Sequence, residues 1–194
     1  MARFVTVLSL RGGGQGLVTT SLFRGPHQRF HRDPFMTFWK EFKSKSCSSR
    51  LKASVKEDVL QEVVDLLVKG GELDASLRED VLNALLSREQ LASTGVGMNV
   101  AIPHVKIKGL ERVICSLCVT KEDVDWNAVD GDPVHILFTV LRPERATDEH
   151  DPEEHIKRMS WIARLGREAD FRRFVRGAKT KAEMLSLLKE MSAV

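Results

Sequence analysis

The chain has 194 residues, of which 42% are hydrophobic and 29% charged, and its net charge is +3. Residues 1–50 carry nine Lys or Arg against two acids, so the rest of the chain has a net charge of −4, which argues against nucleic-acid binding by the whole chain. No apolar run approaches the roughly 20 residues that a membrane-spanning helix needs. Three cysteines are too few for a disulfide framework, which favours a globular protein of the reducing cytoplasm.

The first 35 residues are rich in Arg and contain no acid before Asp33. Two interpretations stay open: an organellar transit peptide, or translated upstream sequence, since Met36 begins a plausible chain of its own. The stretch GGGQG has no Lys-Ser/Thr after it and is therefore not a phosphate loop. We expect residues 1–45 to be a basic leader that is disordered or absent from the mature chain, and residues 48–194 to form the functional domain.

Two amphipathic helices are predicted next. The sequence SVKE has the form of a capping box, in which Ser54 begins a helix that ends at Gly70-Gly71. A second helix is predicted to begin near Asp74 and to end close to Arg88. Apolar residues recur at helical spacing in both, at Val59, Leu60, Val63, Val64, Leu66 and Leu67 in the first and at Leu77, Val81, Leu82, Leu85 and Leu86 in the second.

Strands dominate the middle of the chain. A short strand is predicted at 100–102, and the runs RVICSLCVT and PVHILFTVL are typical of strands that are buried on both faces. Cys115 and Cys118 are three residues apart on the first run and should point to opposite faces, which disfavours a metal or redox role for this C-x-x-C. Asp151-Pro152 predicts the start of another helix. Helices before and after buried strands indicate a layered α/β domain.

The segment LASTGVGMNVAIPHVK at 91–106 carries the chemistry. A neutral imidazole at His104 is a nucleophile near neutral pH, and the preceding proline restricts its backbone. Thr94 adds a hydroxyl, the glycine turn at Gly95 adds exposed amides, and Arg88 lies just upstream. Together these groups suit a phosphoryl group. The residues alone leave a second interpretation open, in which a glycine turn is followed by an incidental histidine.

The sequence REQLASTGVGMNVAIPHVK resembles the signature of the fructose/mannitol-type enzyme IIA domains of the bacterial sugar phosphotransferase system, a group that includes the nitrogen-regulatory IIA proteins. The resemblance extends from about Leu51 to Leu188 and includes VHILFTVLRPERATDEH and HIKRMSWIARL. It implies an α/β three-layer sandwich, the mannitol-type IIA fold, in which a mixed β-sheet has helices on both faces.

The resemblance also implies a function. His104 would accept a phosphoryl group from a phosphohistidine of the carrier HPr or of its nitrogen-branch homologue, and then pass it to a IIB domain or hold it as a regulatory mark. Arg88 matches the active-site arginine of the family, and we expect Ser93, Thr94 and Gly95 to bind the phosphate. Transfer between two imidazoles requires no metal, nucleotide or other cofactor.

The family has a second histidine beside the first, and here the chain departs from the pattern. An extra DPEEH follows ATDEH, so that His150 matches the preceding motif and His155 matches the helix that follows. We favour His155, because the first turn of a helix offers free amides to an anion. His150 is the alternative, in an acidic loop.

Other interpretations remain. The domain could be a non-catalytic module whose binding to a kinase, transporter or transcription factor is switched by phosphorylation, which is compatible with the phosphocarrier role. No IIB, IIC or HPr sequence is recognised in the chain, which favours the stand-alone, nitrogen-regulatory type over part of a sugar permease. A metal-dependent hydrolase built on His104, His150 and His155 is the third hypothesis, although a solvated acidic loop explains DEHDPEEH more simply. His135, inside a buried strand, is expected to be structural.

Overall fold

The computed structural model describes residues 37–145 and 152–191 of the chain. These residues form one six-stranded β-sheet between two layers of helices. The strands are β1 (Ser48–Leu51), β2 (Gly95–Gly97), β3 (Val100–Ala101), β4 (His104–Ile107), β5 (Ile114–Val124) and β6 (Val134–Pro143). The α-helices are α1 (Lys56–Lys69), α2 (Arg78–Leu91), α3 (Pro152–Arg167), α4 (Ala169–Gly177) and α5 (Lys181–Met191). No helix in these two ranges is both long and apolar enough to cross a membrane.

The sheet is mixed, and its centre is the antiparallel pair of β5 and β6. Strand β1 runs parallel to β5, while β3 and β4 pair with successive parts of β6, both in parallel. Strand β2 pairs with β3 in the antiparallel sense. The predicted opposite orientations of two cysteines on β5 are confirmed, since Cys118 lies in the core on one face of the sheet and Cys115 in the core on the other.

A separate hydrophobic core fills the space on each face of the sheet. Helices α1 and α2 pack on one face, and α3, α4 and α5 pack on the other. Trp126 is buried in the first core and Trp161 in the second, each with no exposed surface. The predicted three-layer α/β arrangement with a mixed sheet is therefore confirmed.

Residues 37–47 pack on the second core, although the sequence places most of them in a leader. Phe38 and Phe42 are only 4% and 3% exposed, and the ring of Phe42 lies 5.9 Å from that of Trp161 and 6.0 Å from that of Phe138. The folded unit thus extends at least to Thr37 on its N-terminal side. Residues 1–36, which hold the rest of the expected leader, lie outside the described residues.

The helix boundaries differ from the predicted ones in two details. Helix α1 begins at Lys56, and no side chain caps it, so the predicted capping box at Ser54 is not formed. Instead the carboxylate of Glu62, which lies in the second turn of the helix, accepts hydrogen bonds at 2.8 Å from the backbone amides of Lys52 and Ala53 before the helix. Helix α2 ends at Leu91, three residues later than predicted, so Arg88 lies in its last turn.

The cysteines supply a test of the two cores. Cys47, Cys115 and Cys118 are all fully buried free thiols. Burial raises the pKa of each, in the case of Cys118 to about 12, so the reactive thiolate is scarce at pH 8. We expect no reaction of the native chain with a disulfide reagent such as DTNB at pH 8, and three reactive thiols per chain after unfolding in guanidinium. A thiol that reacts rapidly in the native chain would contradict this packing.

Candidate functional site

His104 is the first residue of β4 and stands directly after Pro103. The β6 amide of Val140 donates to the carbonyl of Pro103 at 2.9 Å, so the sheet holds the backbone on the entering side of the histidine. The His104 ring is half-buried, and its Nδ1 lies 2.9 Å from the carbonyl oxygen of Ile102. A carbonyl oxygen only accepts, so Nδ1 carries a hydrogen. In the neutral ring the nucleophilic lone pair is therefore on Nε2.

A cavity of about 390 Å³ lies between the C-terminal half of α2 and the strands β4 and β6. His104 lines this cavity together with three cationic side chains, Arg88, Lys106 and Arg142. None of the described residues that line it is acidic. Its other walls are formed by Ala84, Ser87, Leu91 and Val105. A histidine that shares a cavity with three cationic side chains is suited to binding an anion.

Arg88 occupies the position that the sequence analysis predicts for it. Its guanidinium Nη1 donates to the carbonyl oxygen of Ala92 at 2.7 Å, which ties the side chain to the C-terminal end of α2. This bond engages one nitrogen of a group that has five N–H donors. The structure thus brings Arg88 and His104 to one cavity, although 15 positions of the chain separate them.

The Ser-Thr-Gly loop has a different arrangement from the expected one. The hydroxyl of Thr94, a residue 4% exposed, donates to Glu89 at 2.5 Å, and its amide hydrogen bonds to the same carboxylate. The Ser93 hydroxyl donates to the carbonyl of Trp126 at 3.0 Å and accepts from the amide of Gly95 at 3.1 Å. In this structure these donors bond to other groups of the protein, and the contact of Ser93, Thr94 and Gly95 with a phosphate stays a prediction.

Glu89 is a residue to which sequence reasoning gave no role. It is 7% exposed and next to Arg88, and its carboxylate also lies 3.7 Å from the Nζ of Lys56 at the start of α1. It therefore links two helices to the loop that leads to β2. Its role could have been predicted from its place in the sequence, next to Arg88 and five residues before Thr94. At this spacing a carboxylate near the end of a helix can accept hydrogen bonds from the loop that follows the helix.

Of the two candidates for the second histidine, the structure describes only His155. His155 lies in the first turn of α3, as the sequence predicts, and is half-buried. It is not among the described residues that line the His104 cavity. His150 lies outside the described residues. Within 37–145 and 152–191 no group of three or more His, Cys, Asp or Glu side chains is arranged to hold a metal ion.

His135 belongs to a separate cluster on the α4 side of the sheet. It is 5% exposed, and its Nδ1 lies 2.8 Å from Nη1 of Arg176 and 3.5 Å from Asp123. Burial first, and then the nearby guanidinium, lower the pKa of His135. A neutral ring that is fixed in this way agrees with the expected structural role.

The chain is similar to known proteins over most of its length. The family model described as "Phosphoenolpyruvate-dependent sugar phosphotransferase system, EIIA 2" matches residues 41–191. A nitrogen regulatory protein of Bradyrhizobium diazoefficiens is 35% identical over 138 residues, which is 71% of this chain and 85% of that protein. A fructose-specific EIIA component of Haloferax volcanii is 30% identical over the same length, with the same coverage of both chains.

A solved structure is also similar. The crystal structure of the nitrogen regulatory protein IIA-Ntr from Neisseria meningitidis superposes with a TM-score of 0.68 at 28% identity, and the match covers 77% of this chain and 97% of that one. The shared architecture therefore spans nearly all of the residues that the structure describes here.

Proposed function

Because the chain belongs to the EIIA type 2 family of the phosphoenolpyruvate-dependent sugar phosphotransferase system, we propose that it carries a phosphoryl group on Nε2 of His104. The donor is a phosphohistidine of HPr or of its nitrogen-branch homologue. The proposal rests on the hydrogen bond from Nδ1 to the Ile102 carbonyl, which leaves the nucleophilic lone pair on Nε2. The histidine that bears it lines a cavity with cationic walls.

The transfer step is an exchange between two imidazoles. The Nε2 lone pair of His104 forms a bond to phosphorus while the N–P bond of the donor breaks, and the electrons of that bond stay on the donor ring. The donor ring reacts in the form that carries a hydrogen on its other nitrogen, so both rings keep their N–H and no proton has to move. The chain contributes positioning and charge, because three oxygens bear the negative charge of the moving group.

Arg88 is the residue that we assign to this charge. Its guanidinium can meet two phosphoryl oxygens at once, and its bond to Ala92 limits the entropy lost on binding. The proposed reaction takes place at the surface of the domain, since His104 is only half-buried and the cavity opens beside it. A partner protein can therefore bring its own histidine to the ring.

The proposed use of the phosphate is regulatory. Two of the similar proteins are named nitrogen regulatory proteins, and one is named a fructose-specific component. We propose that this chain works in the cytoplasm, holds the phosphoryl group as a signal, and binds a kinase or transporter differently in its two states. In the alternative use, the phosphate leaves for a IIB domain and serves sugar uptake.

One experiment tests the function and separates its two uses. The full chain is incubated with labelled phosphoenolpyruvate, enzyme I and HPr, and we expect one acid-labile, base-stable phosphate per chain. If the chain is not labelled by active HPr or by its active nitrogen-branch homologue, the proposal is wrong. The labelled chain is then mixed with a fructose-type IIB domain, and retention of the label favours the regulatory use while rapid loss favours transport.

A comparison of two variants identifies the second histidine. We expect His155→Ala to slow transfer from phosphorylated HPr by about 10–100-fold, because a donor at the first turn of α3 no longer bonds to the phosphoryl group. His150→Ala should stay within about twofold of the unaltered chain. The initial rate of labelling measures both. If only the substitution at 150 slows transfer, the assignment of His155 is incorrect.

A further inference from the structure

We propose that Arg142 is a second guanidinium that contacts the phosphoryl group on His104, from the wall of the cavity that β6 forms. This inference rests on the proposed function and adds a residue to it. With it the phosphoryl group would be held between an arginine of α2 and an arginine of the sheet, rather than by Arg88 alone.

The register of the sheet places Arg142 near His104. Strand β4 pairs in parallel with the end of β6, so that His104 is opposite Val140 and Lys106 is opposite Arg142. Directly paired residues point to the same face, and so do residues two apart on one strand. His104, Lys106 and Arg142 therefore share a face of the sheet. Neighbouring strands lie about 4.8 Å apart and residues two apart on a parallel strand about 6.6 Å apart, so a long side chain spans this diagonal.

This face is the one that α3, α4 and α5 cover, because Val140 belongs to the second core, whereas α2 packs on the other face. The cavity is lined by residues of both. Arg142 lines it together with His104 and Arg88, so three separate elements of the fold supply the histidine and the two guanidinium groups. Lys106 adds a third cation.

The charges match those of the proposed cargo. A phosphoryl group carries about −1.5 to −2 at neutral pH and has three acceptor oxygens, more than one guanidinium can satisfy with its paired donors. Burial lowers the pKa of Arg142, which agrees with a side chain whose hydration is reduced by the walls around it. A guanidinium that has lost part of its hydration gains more from an anion than a fully solvated one does.

The test measures how strongly the chain holds the phosphoryl group. The full chain and its variants are equilibrated with HPr, enzyme I and phosphoenolpyruvate, and the ratio of phosphorylated to free chain is compared with that of HPr. We expect Arg142→Gln to shift this equilibrium about tenfold toward phosphorylated HPr and to raise the phosphoryl pKa that ³¹P NMR titration reports. Arg142→Lys, which keeps the charge but loses the planar fork, should shift the equilibrium about threefold.

Arg145→Gln is the matched control, because it removes the same charge from an exposed position three residues farther along. It should change neither quantity. If the unaltered chain takes no phosphate on His104, the proposed function fails. If that chain is phosphorylated but the Gln variant has an unchanged equilibrium and phosphoryl pKa, only the assignment of Arg142 is overturned. Should the Gln variant fail to fold, an unchanged equilibrium in the Lys variant overturns it equally.

Discussion

Replacing His104 by asparagine is expected to abolish phosphorylation of the chain, with a loss of at least about 10³-fold in the rate of labelling, because the attacking nitrogen is removed. The Asn side chain has an amide nitrogen near the position of Nδ1, so it can still donate to the Ile102 carbonyl that His104 contacts at 2.9 Å. The start of β4 should therefore keep its structure. Labelling from phosphorylated HPr and the thermal unfolding midpoint are measured together.

His135→Asn serves as the control for this variant. It removes another imidazole, one that is buried on the α4 side of the sheet and bonded to Arg176, outside the cavity. Provided that the chain stays folded, labelling should persist at a similar rate. Acid-labile label that remains on the folded His104→Asn chain would show that a different histidine accepts the phosphate.

The elements that the sequence predicts correctly are those whose burial leaves a regular pattern. Helices α1 and α2 have apolar residues at helical spacing, and β5 and β6 are apolar on both faces because a helical layer covers each face. Strand β1 escaped prediction, since Ser48–Leu51 has no apolar run and only its last residue is buried. Its structure depends on pairing with β5, a long-range contact that no local pattern reveals.

The site was predictable only in part, for a similar reason. His104 and Arg88 follow from the chemistry of a short segment, and the structure brings them to one cavity. The partner of Thr94 does not follow from it, because a loop hydroxyl can bond to a ligand or to its own neighbours, and here it bonds to the buried carboxylate of Glu89. The position of Arg142 near His104 depends on the register of β4 against β6, which the sequence pattern does not specify.

An ion pair between Glu41, in the segment before β1, and Arg158 of α3 should contribute strongly to the stability of the domain. Arg158 of α3 has a side chain only 2% exposed, and its Nε and Nη2 donate to the Glu41 carboxylate at 2.5 Å and 2.8 Å. The ring of Phe38 lies against the same guanidinium, 5.2 Å from its Cζ. Glu41→Ala removes the carboxylate that bonds to this buried cation, so we expect the free energy of unfolding to fall by about 3 kcal/mol. Urea unfolding measures it, with a thermal midpoint lower by roughly 6–12 °C.

Asp170→Asn tests whether burial is the cause. Asp170 also pairs with an arginine, Arg173 at 2.8 Å, but both side chains are more than two-thirds exposed, and such pairs add little to stability. A large loss at Glu41 beside a negligible one at Asp170 would place residues 37–47 within the cooperative domain. Because Arg158 is one turn beyond His155 on α3, the same loss would loosen the helix start that positions this histidine. Equal, small effects of both substitutions would instead mean that the segment packs on the domain without stabilising it.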